Sequence, residues 1–249
     1  MRDYKEELEK RVNWIKTLLE DAHANGIIYG NSGGKDSALV GILCKKACDN
    51  TVGIIMPCAS ARNYGEDSDD ANDVAKQFDI ETRVVDLTKT KETLLASMDA
   101  EKLTSDALKN INPRLRMTTL YAIGQSEGRL VAGTGNKDEL YVGYYTKYGD
   151  GGADFNPIAD LTVGEVYEFL EFLDAPLNIR TKAPSAGLEE GQTDEGEMGI
   201  LYSDLDKYLN EGEKSGVAPE IIEKIERMHK RSLHKITGMK KYGEIVDNK

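Results

Sequence analysis

Apolar residues recur along the chain with two different periods, and each period indicates a different kind of element. Near the amino terminus Leu8, Val12 and Ile15 follow helical spacing, and an amphipathic helix is predicted over residues 3–24. Short apolar runs then alternate with helical patterns. The predicted strands span 26–30, 51–57, 81–87 and 130–133, and the predicted helices between them span 36–49, 67–78, 89–99 and 113–127. Because nearly continuous apolar strands are buried on both faces, we expect an α/β fold with a doubly wound parallel sheet and helices on both faces.

The part of the chain after residue 162 is predicted to be helical and more polar. Helical patterns fall near 162–173, 198–210 and 218–232. Between the first two lies a stretch over 181–197 that is rich in Gly, Pro, Ser and acidic residues. An irregular stretch of that length in a compact domain is typical of a mobile lid. We therefore expect a single domain over 1–249, with a helical carboxyl-terminal part.

Charge and composition narrow the possible functions. The formal net charge is −12 and the sequence pI is about 4.9, which argues against broad nucleic-acid binding because that needs a basic face. The three cysteines form no CxxC pair, and with three histidines a zinc site is not expected. The first residues are charged, and no apolar run approaches the ~18 residues of a membrane span. We expect a cytoplasmic protein with no membrane partner.

The most informative motif is a glycine loop between the first predicted strand and the next helix. It reads Gly30-Asn31-Ser32-Gly33-Gly34-Lys35-Asp36-Ser37. Glycines allow a phosphate to approach the backbone closely, and the first amides of a helix have no internal partner, so the loop is suited to binding an anion. Its spacing is not that of the common phosphate loop. A carboxylate such as Asp36 repels a triphosphate unless a divalent cation lies between them, so the loop also predicts Mg²⁺.

A second cluster follows the fourth predicted strand. It begins Gly133-Thr134-Gly135-Asn136-Lys137-Asp138-Glu139 and continues with Tyr144-Tyr145-Thr146-Lys147-Tyr148-Gly149-Asp150-Gly151-Gly152-Ala153-Asp154. In parallel sheets ligands bind beyond the carboxyl ends of the strands, where both clusters begin. Glu139 therefore leaves the same sheet edge as Asp36, and one metal ion could contact both carboxylates.

These motifs resemble known families at two levels. The glycine loop is similar to the SGGxDS loop of the ATP pyrophosphatases, which cleave ATP between its α- and β-phosphates. The second cluster, with Asn112-Pro113-Arg114-Leu115-Arg116-Met117 before it and Lys182-Ala183-Pro184-Ser185-Ala186 after it, resembles the NAD synthetases. The resemblance runs from about residue 8 to residue 235. It implies an adenine nucleotide alpha hydrolase-like fold, a homodimer, and formation of NAD from deamido-NAD, ATP and ammonia.

The resemblance also implies roles for particular residues. ATP would be bound by the loop residues Gly30, Asn31, Ser32, Gly33, Gly34, Lys35, Asp36 and Ser37, with Thr134 and Ser185. Deamido-NAD would be bound by Arg114, Lys147, Asp154, His234 and Lys235. Mg²⁺ would be held by Asp36 and Glu139. One departure stands out: many members have a lysine that contacts phosphate after the Leu-Thr of the following helix, and here Val163 follows Leu161-Thr162. Either Lys182 or Lys35 supplies that charge, or pyrophosphate is held more weakly.

The chemistry that this family performs predicts the catalytic groups. Adenylation of the nicotinate carboxylate by ATP gives the acyl carbon a good leaving group, which ammonia then displaces. Asp36 is predicted to act with the metal in the first step. A carboxylate near the acyl carbon would bind ammonium and take its proton, for which Asp154 is the first candidate and Asp150 the competitor. No protein nucleophile is expected.

Three alternatives remain open on the sequence. Glutamine-using relatives carry an amidohydrolase domain before the synthetase part, whereas the glycine loop begins at residue 30 here. Free ammonia is therefore the expected nitrogen donor, although a separate glutaminase could deliver it. Another ATP pyrophosphatase, such as an amidotransferase synthetase subunit or a thiolase, would share the glycine loop. A non-catalytic adenine-nucleotide sensor would keep the loop and need neither Glu139 nor Asp154.

Overall fold

The centre of the molecule is a four-stranded parallel sheet. A computed structural model of the protein describes residues 2–58, 66–182, 194–239 and 241–242. The strands are β1 Gly26–Gly30, β2 Thr51–Ile55, β3 Glu81–Val84 and β4 Arg129–Ala132, in the order β3-β2-β1-β4. In register, Ile28 of β1 lies between Val52 and Val131. The chain builds the sheet outward from β1 to β3 and then returns to the other side of β1, so the winding reverses between β1 and β4. Open α/β sheets bind ligands at such a switch point.

Helices connect the strands and form the carboxyl-terminal part. They are α1 Tyr4–Asp21, α2 Lys35–Ala47, α3 Glu66–Gln77, α4 Thr88–Ala96, α5 Ser105–Lys109, α6 Ile111–Glu127, α7 Lys137–Val142, α8 Val163–Phe172, α9 Leu177–Thr181, α10 Asp194–Met198, α11 Tyr202–Glu211 and α12 Pro219–Ile236. In the described part of the chain, no helix is both long and apolar enough to span a membrane.

Two hydrophobic cores cover the two faces of the sheet. Side chains alternate along a strand. Ile27 and Tyr29 of β1 therefore belong to one core, which they share with α1, α2, α3 and α8. Ile28 belongs to the other core, together with Val52, Val131 and Leu120 of α6. This arrangement confirms the predicted parallel sheet with helices on both faces.

A third core holds the helical carboxyl-terminal part together. It joins Val142 of α7, Val163 of α8, Met198 of α10, Leu205 of α11 and Ile225 of α12. Because α7 follows directly from the β4 edge, this core anchors the carboxyl-terminal helices beside the switch point of the sheet.

The predicted elements agree with the structure in type and order, with differences at their ends. The third strand ends at Val84 rather than Leu87. The predicted lid over 181–197 falls mostly on residues 183–193, which lie outside the described part. Its carboxyl-terminal end is helical, as α10, and a short helix, α9, precedes it. Periodicity could not reveal α5, α9 and α10, because five residues cover barely more than one helical turn.

Candidate active site

The glycine loop joins β1 to α2 at the switch point of the sheet. Gly34 is the N-cap of α2, so no capping side chain occupies the first amides of that helix. Gly33 has φ +73°, and a Cβ on it would lie 2.1 Å from the carbonyl oxygen of Asp67. Only glycine tolerates both the left-handed backbone and this close approach. The loop therefore forms a tight turn between β1 and α2, and it is packed against the start of α3.

Asn136 brings the two predicted metal carboxylates together. This residue is the N-cap of α7 and is 0% exposed. Its amide Nδ2 donates to Oδ1 of Asp36 at 3.2 Å. Its Oδ1 accepts the backbone N–H of Glu139 at 3.0 Å, while Oε2 of Glu139 accepts the backbone N–H of Asn136 at 3.1 Å. This capping box links the start of α7 to the start of α2.

The charges around this pair are unbalanced. Burial and the neighbouring Asp36 raise the pKa of Glu139 well above its ordinary value. Lys35 donates from Nζ to Oδ2 of Asp36 at 2.7 Å. Although burial opposes its charge, the carboxylates of Asp36 and Glu139 raise its pKa. One lysine therefore faces two carboxylates, and Glu139 gains a proton more readily than an isolated carboxyl because that balance is negative.

A divalent cation fits this arrangement. Carboxylate oxygens are preferred ligands of Mg²⁺, and a second positive group would relieve the repulsion between Asp36 and Glu139. In the described ranges, no group of three or more His, Cys, Asp or Glu side chains is arranged to hold a metal ion. Asp36 and Glu139 would therefore supply two ligands, and phosphate oxygens and water the others, as is usual for Mg²⁺ at nucleotides.

A continuous cavity extends from this pair across the carboxyl ends of β1, β2 and β4. Its volume is about 510 Å³, within the range of small-molecule sites, ~300–1,000 Å³. Its lining includes the glycine loop and Glu139, and also Tyr145, Asp150 and Lys235. Thr134, predicted to contact ATP, lines it as well. Ser185, the other predicted ATP contact, lies outside the described residues.

The predicted deamido-NAD residues are spread over the cavity and its surroundings. Lys235 lines the main cavity and donates to the carbonyl oxygens of Gly143 and Tyr145 at 2.6 and 2.7 Å. Lys147 lines a separate cavity of about 470 Å³, to which Lys235 also contributes. The side chains of Arg114 and His234 are exposed and line neither cavity.

The two candidate proton acceptors differ in position. Both carboxylate oxygens of Asp154 are engaged: Oδ2 accepts the N–H of Val131 at 2.7 Å, and Oδ1 accepts the hydroxyl of Tyr121 at 3.0 Å. Asp154 does not line the main cavity, whereas Asp150 does. Burial among protein atoms raises the pKa of Asp150, whose Oδ1 accepts the N–H of Thr146 at 3.0 Å. The geometry therefore favours Asp150 over Asp154 as the group that faces bound reactants.

Comparison with known proteins decides the family. The NAD synthase family model matches residues 7–243. The chain belongs to the NAD synthase family. It is 48% identical to an NH(3)-dependent NAD(+) synthetase of Carboxydothermus hydrogenoformans, over 94% of this chain and 95% of that protein. A solved NMN synthetase from Francisella tularensis is 37% identical, with a TM-score of 0.90 over 98% of this chain and 100% of that one. An NH3-dependent NAD synthetase from Campylobacter jejuni is 25% identical, with a TM-score of 0.78 over 96% and 99%.

In this member of the NAD synthase family, α6 contributes a cavity face whose residues were not among the predicted site residues. Pro113, Arg116, Met117 and Leu120 line the cavity. Their spacing of three or four residues places them on one helix face. Desolvation lowers the pKa of Arg116, whose Nε donates to the carbonyl oxygen of Met56 at 3.1 Å. Leu120 is the buried apolar residue of this helix, and Arg116 lies four positions before it on the same face. This spacing could have indicated Arg116 rather than Arg114.

The position that carries a phosphate-contacting lysine in many NAD synthetases is apolar here. Val163 is 4% exposed, and its N–H donates to Oδ2 of Asp138 at 2.6 Å. Of the two lysines that could replace that charge, Lys182 is paired with Asp67 at 2.9 Å and also with Asp70. Lys35 is paired with Asp36 at 2.7 Å, and both lysines line the cavity.

Proposed function

We propose that this protein is an ammonia-dependent NAD synthetase, a carbon–nitrogen ligase. It would convert deamido-NAD, ATP and ammonia into NAD, AMP and pyrophosphate through an acyl-adenylate. The observation that carries this proposal is the carboxylate pair Asp36 and Glu139, joined by Asn136 beside the glycine loop and opening on one cavity. The near full-length similarity to a relative named NH(3)-dependent NAD(+) synthetase supports the same reaction.

In the proposed adenylation step, the nicotinate carboxylate attacks the α-phosphorus and pyrophosphate departs. The first amides of α2 would hold phosphate oxygens, and Lys35 would offset charge that builds on the departing group. Asp36 and Glu139 would hold Mg²⁺, which supplies Lewis-acid stabilisation of the phosphate charges when it is bound. The protein contributes position and charge and no covalent nucleophile.

In the proposed second step, ammonia attacks the acyl carbon and AMP leaves. Ammonia must be neutral to attack, so ammonium would first give up a proton to a carboxylate. Asp150 is suited to this because it lines the cavity, and its raised pKa makes it a better base than an ordinary aspartate. Asp154, the first candidate from the sequence, would then position Tyr121 and the end of β4.

A second candidate differs only in the substrate. The chain is similar to the Francisella tularensis NMN synthetase, with a TM-score of 0.90, and this supports nicotinate mononucleotide as an alternative acid that is amidated. This substrate lacks the adenylate half of deamido-NAD but has the same reacting carboxylate. We place deamido-NAD first because the relatives at 40–48% identity include several named NAD synthetases.

The test compares the two acids directly. Purified protein is incubated with ATP, MgCl₂ and either deamido-NAD or nicotinate mononucleotide, with and without ammonium, and AMP, pyrophosphate and amide are measured. We expect one AMP per NAD and a higher kcat/KM with deamido-NAD. Preference for the mononucleotide would establish the second candidate, and AMP release that neither acid stimulates would refute both. Asp36→Asn should abolish AMP release, while Asp49→Asn, a matched change at a fully exposed aspartate, should not.

We further propose a single domain over residues 1–249, a homodimer and a cytoplasmic location. The first is supported by the packing of all three cores on one sheet and its helices, with α8 contributing to two of them. An apolar face at the end of α12, where Leu233, Ile236 and Met239 are exposed, supports a partner subunit there. Sedimentation velocity would test whether the protein is a homodimer in solution. An amidotransferase synthetase subunit, a thiolase and a nucleotide sensor are less well supported, because the chain belongs to the NAD synthase family.

A further inference from the structure

Lys35 is the most unusual charged residue of the site. It is the first residue of α2, it is 6% exposed, and lysines are rarely buried without a partner. Its partner is Asp36, the carboxylate that we assign to the metal, at 2.7 Å from Nζ to Oδ2. Before any ligand arrives, the metal carboxylate therefore already holds a cation that belongs to the protein.

Both oxygens of Asp36 are engaged, but the two contacts are not equally replaceable. The amide of Asn136, which donates to Oδ1, is held in place by its capping box with Glu139 and is fully buried. The contact to Oδ2 comes from the flexible side chain of Lys35. A metal ion that binds Asp36 would repel the nearby ammonium, so the Lys35 contact is the one that it would displace.

The Lys35 ammonium has favourable contacts besides the one to Asp36. Nζ lies 5.9 Å from the ring centroid of Tyr167 and 5.8 Å from that of Tyr202, within the range of cation–π attraction. Lys35 also lines the same cavity as the glycine loop. An ammonium that leaves the Asp36 carboxylate therefore remains in the cavity that the phosphate-binding loop lines.

We propose that Lys35 is an internal counterion of the metal site. Its ammonium is bound to Asp36 in the ligand-free protein and is released to the phosphates when metal and nucleotide bind together. The first half of this inference concerns metal binding alone, and the second half rests on the proposed function. In consequence, free divalent cations bind weakly, and the metal enters chiefly with ATP.

The test measures binding of Mn²⁺, a paramagnetic substitute for Mg²⁺, to the ligand-free protein by electron paramagnetic resonance. Removing the ammonium by Lys35→Met should tighten Mn²⁺ binding at least tenfold. Lys35→Arg keeps the charge and should bind Mn²⁺ as weakly as the wild type. Lys46→Met, at an exposed lysine on the same helix, is the matched control for loss of one positive charge and should also resemble the wild type.

Equal or weaker Mn²⁺ binding by Lys35→Met would overturn the proposal. So would a gain that survives in the double variant Lys35→Met/Asp36→Asn, because the added metal would then bind elsewhere. If Lys35→Met fails to fold, judged by circular dichroism, Lys35→Gln takes its place with the same expected gain. These measurements need no substrate, so their outcome is independent of whether the protein makes NAD.

The second half is tested by adding a non-hydrolysable ATP analogue. In the wild type the analogue should strengthen Mn²⁺ binding by a larger factor than in Lys35→Met, because only the wild type must release its own cation. An equal factor in both proteins would overturn release of Lys35 to the phosphates and leave the counterion role standing. If adenylation is absent while both binding results hold, the proposed function fails and the inference about the metal site does not.

Discussion

Asn136 offers a direct test of how the two carboxylates are held together. Asn136→Ser keeps a side-chain oxygen that caps α7 but removes the amide that donates to Asp36. A hydrogen bond to a charged group contributes ~1.5–3 kcal/mol. Since Asp36 is 16% exposed and water replaces part of the contact, we expect a loss of about 1.5 kcal/mol in unfolding free energy. Asn136→Ala also removes the cap, which adds ~1 kcal/mol, for a total of about 2.5 kcal/mol.

The assay is urea unfolding followed by circular dichroism, with AMP formation measured in parallel. Both variants should lose most AMP formation, because Asp36 is no longer held beside Glu139. Asp3→Ala is the matched control: Asp3 caps α1, away from the site, so its loss should lower stability by ~1 kcal/mol and leave AMP formation unchanged. If the unfolding free energy of Asn136→Ala is within ~0.5 kcal/mol of the wild-type value, the hydrogen bonds of Asn136 to Asp36 and Glu139 do not stabilise the fold as expected.

Three further outcomes follow from the structure. Gly33→Ala should lower the unfolding free energy by more than ~2 kcal/mol, because its Cβ would meet the carbonyl of Asp67. It should also abolish binding of an ATP analogue in calorimetry, and unchanged binding would contradict the loop geometry. Tyr29→Phe should unfold at the same or a higher urea concentration, since its buried hydroxyl has no partner in the described part of the chain; a loss above ~1 kcal/mol would contradict this. Burial raises the pKa of Asp150, so amide formation should fall as the pH drops through that raised pKa, and Asp150→Asn should remove this acidic limb from the pH profile. An unchanged limb would rule Asp150 out.

Much of the site could be predicted because it depends on local patterns and on sheet topology. Asp36 and Glu139 are about a hundred residues apart, but each lies just after a strand, and β1 and β4 are neighbours in the sheet. Parallel strands bring the residues that follow them to one edge. The glycine loop was equally predictable, because its backbone conformation is set by Gly33 itself.

Other features depend on side-chain contacts that no spacing encodes. Asp154 ends the second cluster of the sequence, yet both of its oxygens accept hydrogen bonds, from Val131 and Tyr121. This pairing depends on how β4 lies against the segment after Asp154, which forms a bridge at Phe155. The ammonium of Lys35 also lies near the rings of Tyr167 and Tyr202, which come from helices far along the chain.

Asp36 and Glu139 are proposed to enable adenylation together, and rapid-quench trapping of the acyl-adenylate examines this step by itself. Deamido-NAD labelled in its carboxylate is mixed with enzyme, ATP and MgCl₂ without ammonium, and the enzyme-bound adenylate is counted over time. The wild type should accumulate about one adenylate per site, and Glu139→Gln, which keeps the shape and removes the charge, should accumulate none. Adenylate formation by Glu139→Gln at the wild-type rate would contradict the account.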